Sequence, residues 1–234
     1  MNRLRSIFFL FVALSLLIWH QQSPAGPAPA PMLENLGDLK RQLTSYRRSG
    51  AYDRDVQAAV SAARRYLERR ARIIRKPALV LDIDETSLSN WPEIQANDYG
   101  TIVNGPCNLP AGPCGRTAWF SRGDDEAIAP TLALFNTAKA LGVSVFFLTG
   151  RSEILRPATE MNLHKAGYDG WVRLIMRPAG TTTSSAADFK APERAKIAAQ
   201  GFTIIANVGD QPSDLAGGYA ERTFLVPNPF YRIP

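Results

Sequence analysis

Apolar and polar positions change their rhythm several times along the chain. Between Met32 and Arg75 the apolar residues recur at helical spacing. Leu33, Leu36, Leu39 and Leu43 form one stripe, and Val56, Ala59, Val60, Ala63, Tyr66 and Leu67 form another after a break at Ser49-Gly50. Two helices are predicted there, packed onto the edge of the domain. Ala78-Leu79-Val80-Leu81, preceded by Pro77, is a short β-prone apolar run and predicts a buried strand. From Ser87 to Glu126 no period is sustained, and Gly, Pro, Asn and aromatics abound. A segment of that length without its own period predicts an insertion that covers a site. Regular alternation then resumes, with helices over Thr131–Leu141, Glu153–Ala166 and Lys190–Gln200. Strands are predicted over Val143–Leu148, Trp171–Met176, Thr203–Val208 and Arg222–Val226. Strands alternating with helices imply parallel crossovers. The expected fold class is α/β, an open parallel Rossmann-like sheet with helices on both faces and a small cap insertion after the first strand.

The N-terminus breaks this pattern. Arg3 and Arg5 precede an apolar run from Ile7 to Trp19 and a Pro/Ala-rich spacer up to Pro31. A core of that length is short for a membrane-spanning helix and suits a signal-peptide core. Residues 1–31 are therefore expected to be a signal peptide or N-terminal anchor plus spacer, and 32–234 the functional domain, with the insertion at about 88–126. An exported, periplasmic or secreted protein is expected, touching a membrane only if the leader is retained. Cys107 and Cys114 are the chain's two cysteines. In an oxidising compartment such a pair can close a small loop, so a disulfide is expected, with free thiols as the alternative.

The chain has 234 residues, 45% of them hydrophobic, and a formal net charge of +6, which exclude wholesale disorder. Arg64, Arg65, Arg69, Arg70, Arg72, Arg75 and Lys76 concentrate the basic charge on what reads as a solvated helix face. No reader motif or interleaved aromatics accompany them, so a nucleic-acid polymer is not an expected partner. His164 is expected on a helix surface or in the core.

Ligand sites of such sheets lie at the carboxyl ends of the strands. Asp82 and Asp84 follow the first strand. Thr149 and Gly150 follow Leu148, where a helix N-terminus is expected. Asp210 and Asp214 follow the strand ending at Val208, and Lys190 stands at the start of the helix before it. Alone, each has a bland reading. Asp84 or Thr86 could cap a helix, Thr149-Gly150 and Gly209-Asp210 could be turns, Arg151 and Arg156 could be surface or ion-pair residues, and Lys190 could be solvated. Jointly they suit phosphoryl transfer: hydroxyl, amide and ammonium groups grip an anionic phosphoryl group, and carboxylates hold a hard cation such as Mg2+.

The order Asp82-Ile83-Asp84-Glu85-Thr86, Phe146-Phe147-Leu148-Thr149-Gly150-Arg151, Lys190 and Gly209-Asp210-Gln211-Pro212-Ser213-Asp214 resembles the haloacid dehalogenase superfamily. It resembles more closely that superfamily's secreted acid phosphatase branch, which includes plant acid phosphatases, vegetative storage proteins and bacterial phosphatases. Asn162-Leu163, Gly167-Tyr168 and the ending Pro227-Asn228-Pro229-Phe230-Tyr231 are also similar. The resemblance implies a secreted, Mg2+-dependent acid phosphatase acting on small phosphomonoesters. Asp82 would be the nucleophile, Asp84 the proton donor and then base, and Thr149, Gly150 and Lys190 the phosphate ligands. Asp82, the backbone carbonyl of Asp84, Asp210 and a supporting Asp214 would form the metal site. A 5′-nucleotidase or phosphotransferase on the same site is an alternative, since aromatics of the insertion could stack on a base or form its own small core. A non-catalytic storage or binding protein of the same fold is another. The segment between Trp91 and Arg122, with its paired cysteines, departs from the pattern of this resemblance, which therefore does not extend to substrate specificity.

Overall fold

The computed structural model describes residues 33–181 and 185–233, so the leader expected over 1–31 lies outside the described residues. In chain order the helices are α1 (Leu36–Arg48), α2 (Ala51–Ala71), α3 (Trp91–Ala96), α4 (Arg116–Arg122), α5 (Ala129–Ala140), α6 (Arg156–Lys165), α7 (Ala186–Ala199) and α8 (Pro212–Leu215). The strands are β1 (Pro77–Leu81), β2 (Leu88–Ser89), β3 (Glu126–Ala127), β4 (Ser144–Ser152), β5 (Arg173–Arg177), β6 (Thr203–Gly209) and β7 (Thr223–Leu225). Five strands form one sheet in the order β5-β4-β1-β6-β7, and each neighbouring pair is parallel.

The period of two along β1 divides the core. Leu79 and Leu81 join the cluster of Val56, Val60, Leu134, Phe135 and Leu163, which belong to α2, α5 and α6. Ala78 and Val80 join Phe146, Leu148 and Ile197, the last from α7. Both faces are covered, which is why the run is apolar throughout. The expected open parallel α/β sheet is the observed one.

Where α2 sits differs from expectation. Its Tyr52, Val56, Val60, Ala63 and Leu67 are buried at helical spacing against α5, β6 and β7, so it is a layer of the sheet's face and not an edge helix. Each Val or Leu so buried stabilises the fold by ~1.5–3 kcal/mol. The stripe on α1 is not core: Leu36 is 63% and Leu39 37% exposed, and Leu43 is half-buried. Leu33 precedes the helix, which starts where the Asn35 carbonyl oxygen Oδ1 accepts from the Gly37 amide at 2.9 Å.

Two further boundaries matter for the site. Strand β4 does not stop at Leu148 but runs to Ser152, with a shift of register against β5 between Thr149 and Ser152. Helix α6 begins at Arg156 after a 3-10 turn over Glu153–Leu155. Thr149 and Gly150 therefore lie in strand and not at a helix N-terminus. Helix α7 begins four residues before Lys190, because Ser185 caps it: its hydroxyl accepts from Ala187, and Asp188 accepts from the Ser185 amide, both at 3.1 Å. Lys190 sits within the helix and is buried.

The insertion is more ordered than its composition predicts. Its ends are zipped by the antiparallel pair β2–β3, Leu88 opposite Ala127 and Ser89 opposite Glu126. Helices α3 and α4 have six and seven residues, too few to show a period. Cys107 and Cys114 are disulfide-bonded. Cys114, Trp119 and Phe120 form a small separate core, whereas Trp91 and Tyr99 pack on Phe230 of the main body. His164 is exposed and pairs with Asp169. Arg70 is held by Glu221 at 2.6 Å, and Arg64 by Glu68 at 2.8 Å.

Candidate active site

Asp82 still belongs to the ladder, since its amide donates to Val208 O at 3.0 Å. The chain then folds into a tight loop in which Ile83 O accepts from the amides of Thr86, Ser87 and Leu88. The Ser87 hydroxyl donates to Asp82 O at 2.6 Å. Glu85 adopts a left-handed φ of 53°, with its carboxyl buried and accepting from the Asn90 amide at 2.5 Å and the Tyr52 hydroxyl at 3.3 Å. No helix starts in this loop, so neither Asp84 nor Thr86 is a cap. Thr86 instead donates to Asp210 Oδ1 at 3.2 Å.

Asp82, Asp210 and Asp214 each offer a carboxylate oxygen within 4.8 Å of the others. Asp214 approaches because it lies in α8, where its Oδ2 accepts from the Gln211 amide at 2.9 Å. Gly209 makes room, for a Cβ there would meet Asp214 Cβ at 2.5 Å. Lys190 Nζ bridges Asp82 Oδ1 at 2.5 Å and Asp214 Oδ1 at 2.6 Å. Asp210 Oδ2 accepts from Gln211 Nε2 at 2.5 Å and Asn228 Nδ2 at 2.6 Å. Burial, with Asp214 adding repulsion, pushes Asp210 up to about 7. Burial likewise lifts Asp82 well above the ordinary carboxyl range, Lys190 pulling against it and Asp214 and Asp210 adding to it. For Lys190 burial disfavours the charge, but the two aspartates outweigh it and raise its pKa. Three hard oxygen donors whose charges are this crowded suit a hard divalent cation, so the residues fit the metal that the family implies.

Asp84 is not in that cluster. Its carboxylate meets Arg151, with Nη2 at 2.8 Å and Nε at 3.1 Å, and Asn90 Nδ2 at 3.0 Å. Burial alone would raise its pKa, but Arg151 and then Asn90 outweigh burial and hold it below its ordinary value. Arg151 is itself buried, donates also to Asp125 Oδ2 at 3.1 Å, and lies 4.0 Å over the Phe120 ring. Thr149 is fully buried and its hydroxyl accepts from the Arg151 amide at 3.1 Å. Gly150, Asp82, Asp84, Lys190, Asp210 and Asp214 line a cavity of about 370 Å3, and Thr149 is not among its lining residues.

Several residues escaped sequence reading. Arg151 directly follows Thr149-Gly150, but charge beside a strand end does not reveal which carboxylate it meets. Asn90 links Asp84 to the insertion by accepting from Trp119 Nε1 at 3.1 Å. Arg194 is fully buried on α7 and donates to Asp214 O at 2.7 Å, Gly218 O at 2.9 Å and Ala216 O, pinning the α8 turn. Asn228 lies in the family-like ending Pro227–Tyr231, the one signal that could have placed it near the site.

The chain matches known proteins along most of its length. It is 37% identical over 161 residues to the stem 28 kDa glycoprotein of Glycine max, covering 68% of this chain and 61% of that one. It is also 37% identical over 155 residues to acid phosphatase 1 of Solanum lycopersicum, covering 66% of this chain and 58% of that one. The alignments thus span about three fifths of these relatives' length. In fold it is similar to the class C acid phosphatase of Bacillus anthracis, with a TM-score of 0.65 at 20% identity over 84% of this chain and 86% of that one. The family model for subfamily IIIB of the haloacid dehalogenase (HAD) superfamily matches residues 35–234. This chain belongs to the HAD superfamily, subfamily IIIB, the acid phosphatase family.

Proposed function

We propose that the protein is an exported phosphomonoesterase that uses Mg2+ and forms an aspartyl-phosphate on Asp82. One observation carries this reading: three carboxylates and one ammonium converge beside a cavity at the carboxyl end of a parallel sheet. Asp82 attacks the phosphorus, and the bond from phosphorus to the ester oxygen breaks. Asp84 gives that oxygen its proton, so an alcohol leaves. Water then loses a proton to Asp84 and attacks the same phosphorus, the bond to Asp82 breaks, and inorganic phosphate departs. Lys190 and Gly150 orient the phosphoryl oxygens, and Thr149, outside the cavity lining, supports that stretch of β4 by accepting from the Arg151 amide. Asp82, the carbonyl of Asp84 and Asp210 would hold the magnesium, with Asp214 in support, and the ion would supply charge that offsets phosphate and carboxylate together. Asp84 serves both half-reactions, and Arg151 sets its proton affinity.

We read residues 1–31 as leader or anchor, 32–234 as the phosphatase domain, and about 88–126 as its cap. The Cys107–Cys114 disulfide supports export to an oxidising compartment. No helix of the described residues is long and apolar enough to cross a membrane.

The test is hydrolysis of 4-nitrophenyl phosphate by the full chain, with magnesium and with a chelator, beside Asp82→Asn. Turnover that needs the metal and disappears in the variant is expected. Equal rates in wild type and variant, or no turnover by either, would overturn the reading.

A further inference from the structure

One wall of the cavity carries a cation that the proposed reaction does not use. Arg177 is the last residue of β5, at the sheet end where ligands bind. It pairs in register with Ser152, and both residues line the cavity. It is half-buried, and among the described residues its side chain makes no hydrogen bond or ion pair. The other cations of the cavity are differently placed. Lys190 is committed to Asp82 and Asp214, and Arg151 to Asp84 and Asp125. Arg116 of the cap meets Glu93 only at 3.5 Å.

We infer that Arg177, assisted by Arg116, is a specificity-determining subsite for a second anionic group, so that the favoured substrate is a phosphomonoester that also carries a carboxylate or a second phosphate. This rests on the phosphatase reading and names its substrate class. A half-desolvated guanidinium without a carboxylate is stabilised by an anion delivered to it, and its planar fork matches carboxylate and phosphate alike. Asp82 directly follows β1 and Arg177 ends β5, two places away in the sheet, a lateral separation of roughly 10 Å at the usual strand spacing. The two negative groups of the substrate are therefore several bonds apart. Val103, Leu155 and Phe189 also line the cavity, so the piece joining the two groups is apolar or compact.

The test is calorimetric binding of three probes to the full chain with magnesium present: benzylphosphonate, 4-carboxybenzylphosphonate and 1,4-xylylenebisphosphonate. None of them needs turnover. Wild type is expected to bind at least one doubly anionic probe about tenfold or more tighter than benzylphosphonate, the worth of one charge-assisted contact. Arg177→Met is expected to erase most of that preference and Arg177→Lys to keep part of it. Which probe gains tells carboxylate from phosphate. Equal affinities in wild type, or a preference that survives Arg177→Met, overturn the subsite while leaving hydrolysis of 4-nitrophenyl phosphate intact. If no probe binds and 4-nitrophenyl phosphate is not hydrolysed, the phosphatase reading falls and the subsite with it.

Discussion

At Asp84 a carboxyl that would have to carry a proton is held ionised by a buried guanidinium. The pairing with Arg151 makes sense if the group has two duties, since a low proton affinity suits quick release to a leaving alkoxide. Arg151→Gln removes the charge and leaves the burial, so the Asp84 pKa rises. The expected result is an upward displacement of the acid limb of log kcat against pH and a kcat lower by about 10- to 100-fold, the ordinary worth of a tuned acid–base group. Asp210 permits a test without turnover. Its folded pKa is raised to about 7, against about 3.9 in an unfolded chain. The folded state therefore binds the extra proton, and stability falls as pH rises from about 4 to about 7. Thermal melts with chelator should show that fall, and magnesium should flatten it by favouring the ionised carboxylates. Melts that rise over that interval would refute this. Asp82 and Asp210 were legible because each directly follows a strand, and Asp214 because it lies in the short helix just beyond the second of them. Arg151, Asn90 and Arg194 were not, because their partners are 67, 6 and 20 residues away in directions that only packing decides.

At the scale of elements, the two N-terminal helices looked alike in pattern and differ in burial. Leu67→Ala, on α2, should cost about 2–5 kcal/mol because it opens a cavity in a closed core. Leu36→Ala, on the exposed stripe of α1, should stay within about 0.5 kcal/mol. Chemical denaturation of both variants checks the contrast, and equal losses would contradict the layer assignment. A stripe at helical spacing reveals which side of a helix is apolar, not whether a neighbour covers it. The segment between β2 and β3 obeys a similar limit. Its six- and seven-residue helices are held by a disulfide and by the Asn97 amide, which donates to Cys114 O at 2.8 Å and accepts from the Cys114 amide at 2.9 Å. Closing so short a loop by a disulfide is worth about 2–3 kcal/mol in the chain-entropy account. Reduction should lower the Tm by several degrees and raise KM with less effect on kcat, since Phe120 and Arg116 lie in this segment and line the cavity. Unchanged melts and kinetics after confirmed reduction would exclude this.

For the molecule as a whole, strand order is what brings the chemistry together. Parallel strands β4, β1 and β6 lie side by side, so the chain delivers Gly150, Asp82 and Asp210 to one edge from distant stretches. Alternation and crossover rules predict a parallel sheet with these residues at its carboxyl ends, which is why the fold class was legible; the strand order itself comes from the structure. Which helix covers which face was not, for it depends on side-chain volume over the whole sheet.

Asn228 on Asp210, and Ile233, whose amide donates to Gln211 Oε1 at 3.0 Å, set an order in time. A chain that has emerged only as far as Leu215 already carries Asp82, Asp84, Asp210, Asp214 and Lys190, yet lacks one of the two side-chain amides that orient Asp210. On the proposed mechanism, a chain cut after Val226 is expected to turn over phosphate esters more slowly than the full chain, which a 4-nitrophenyl phosphate assay of the two would check.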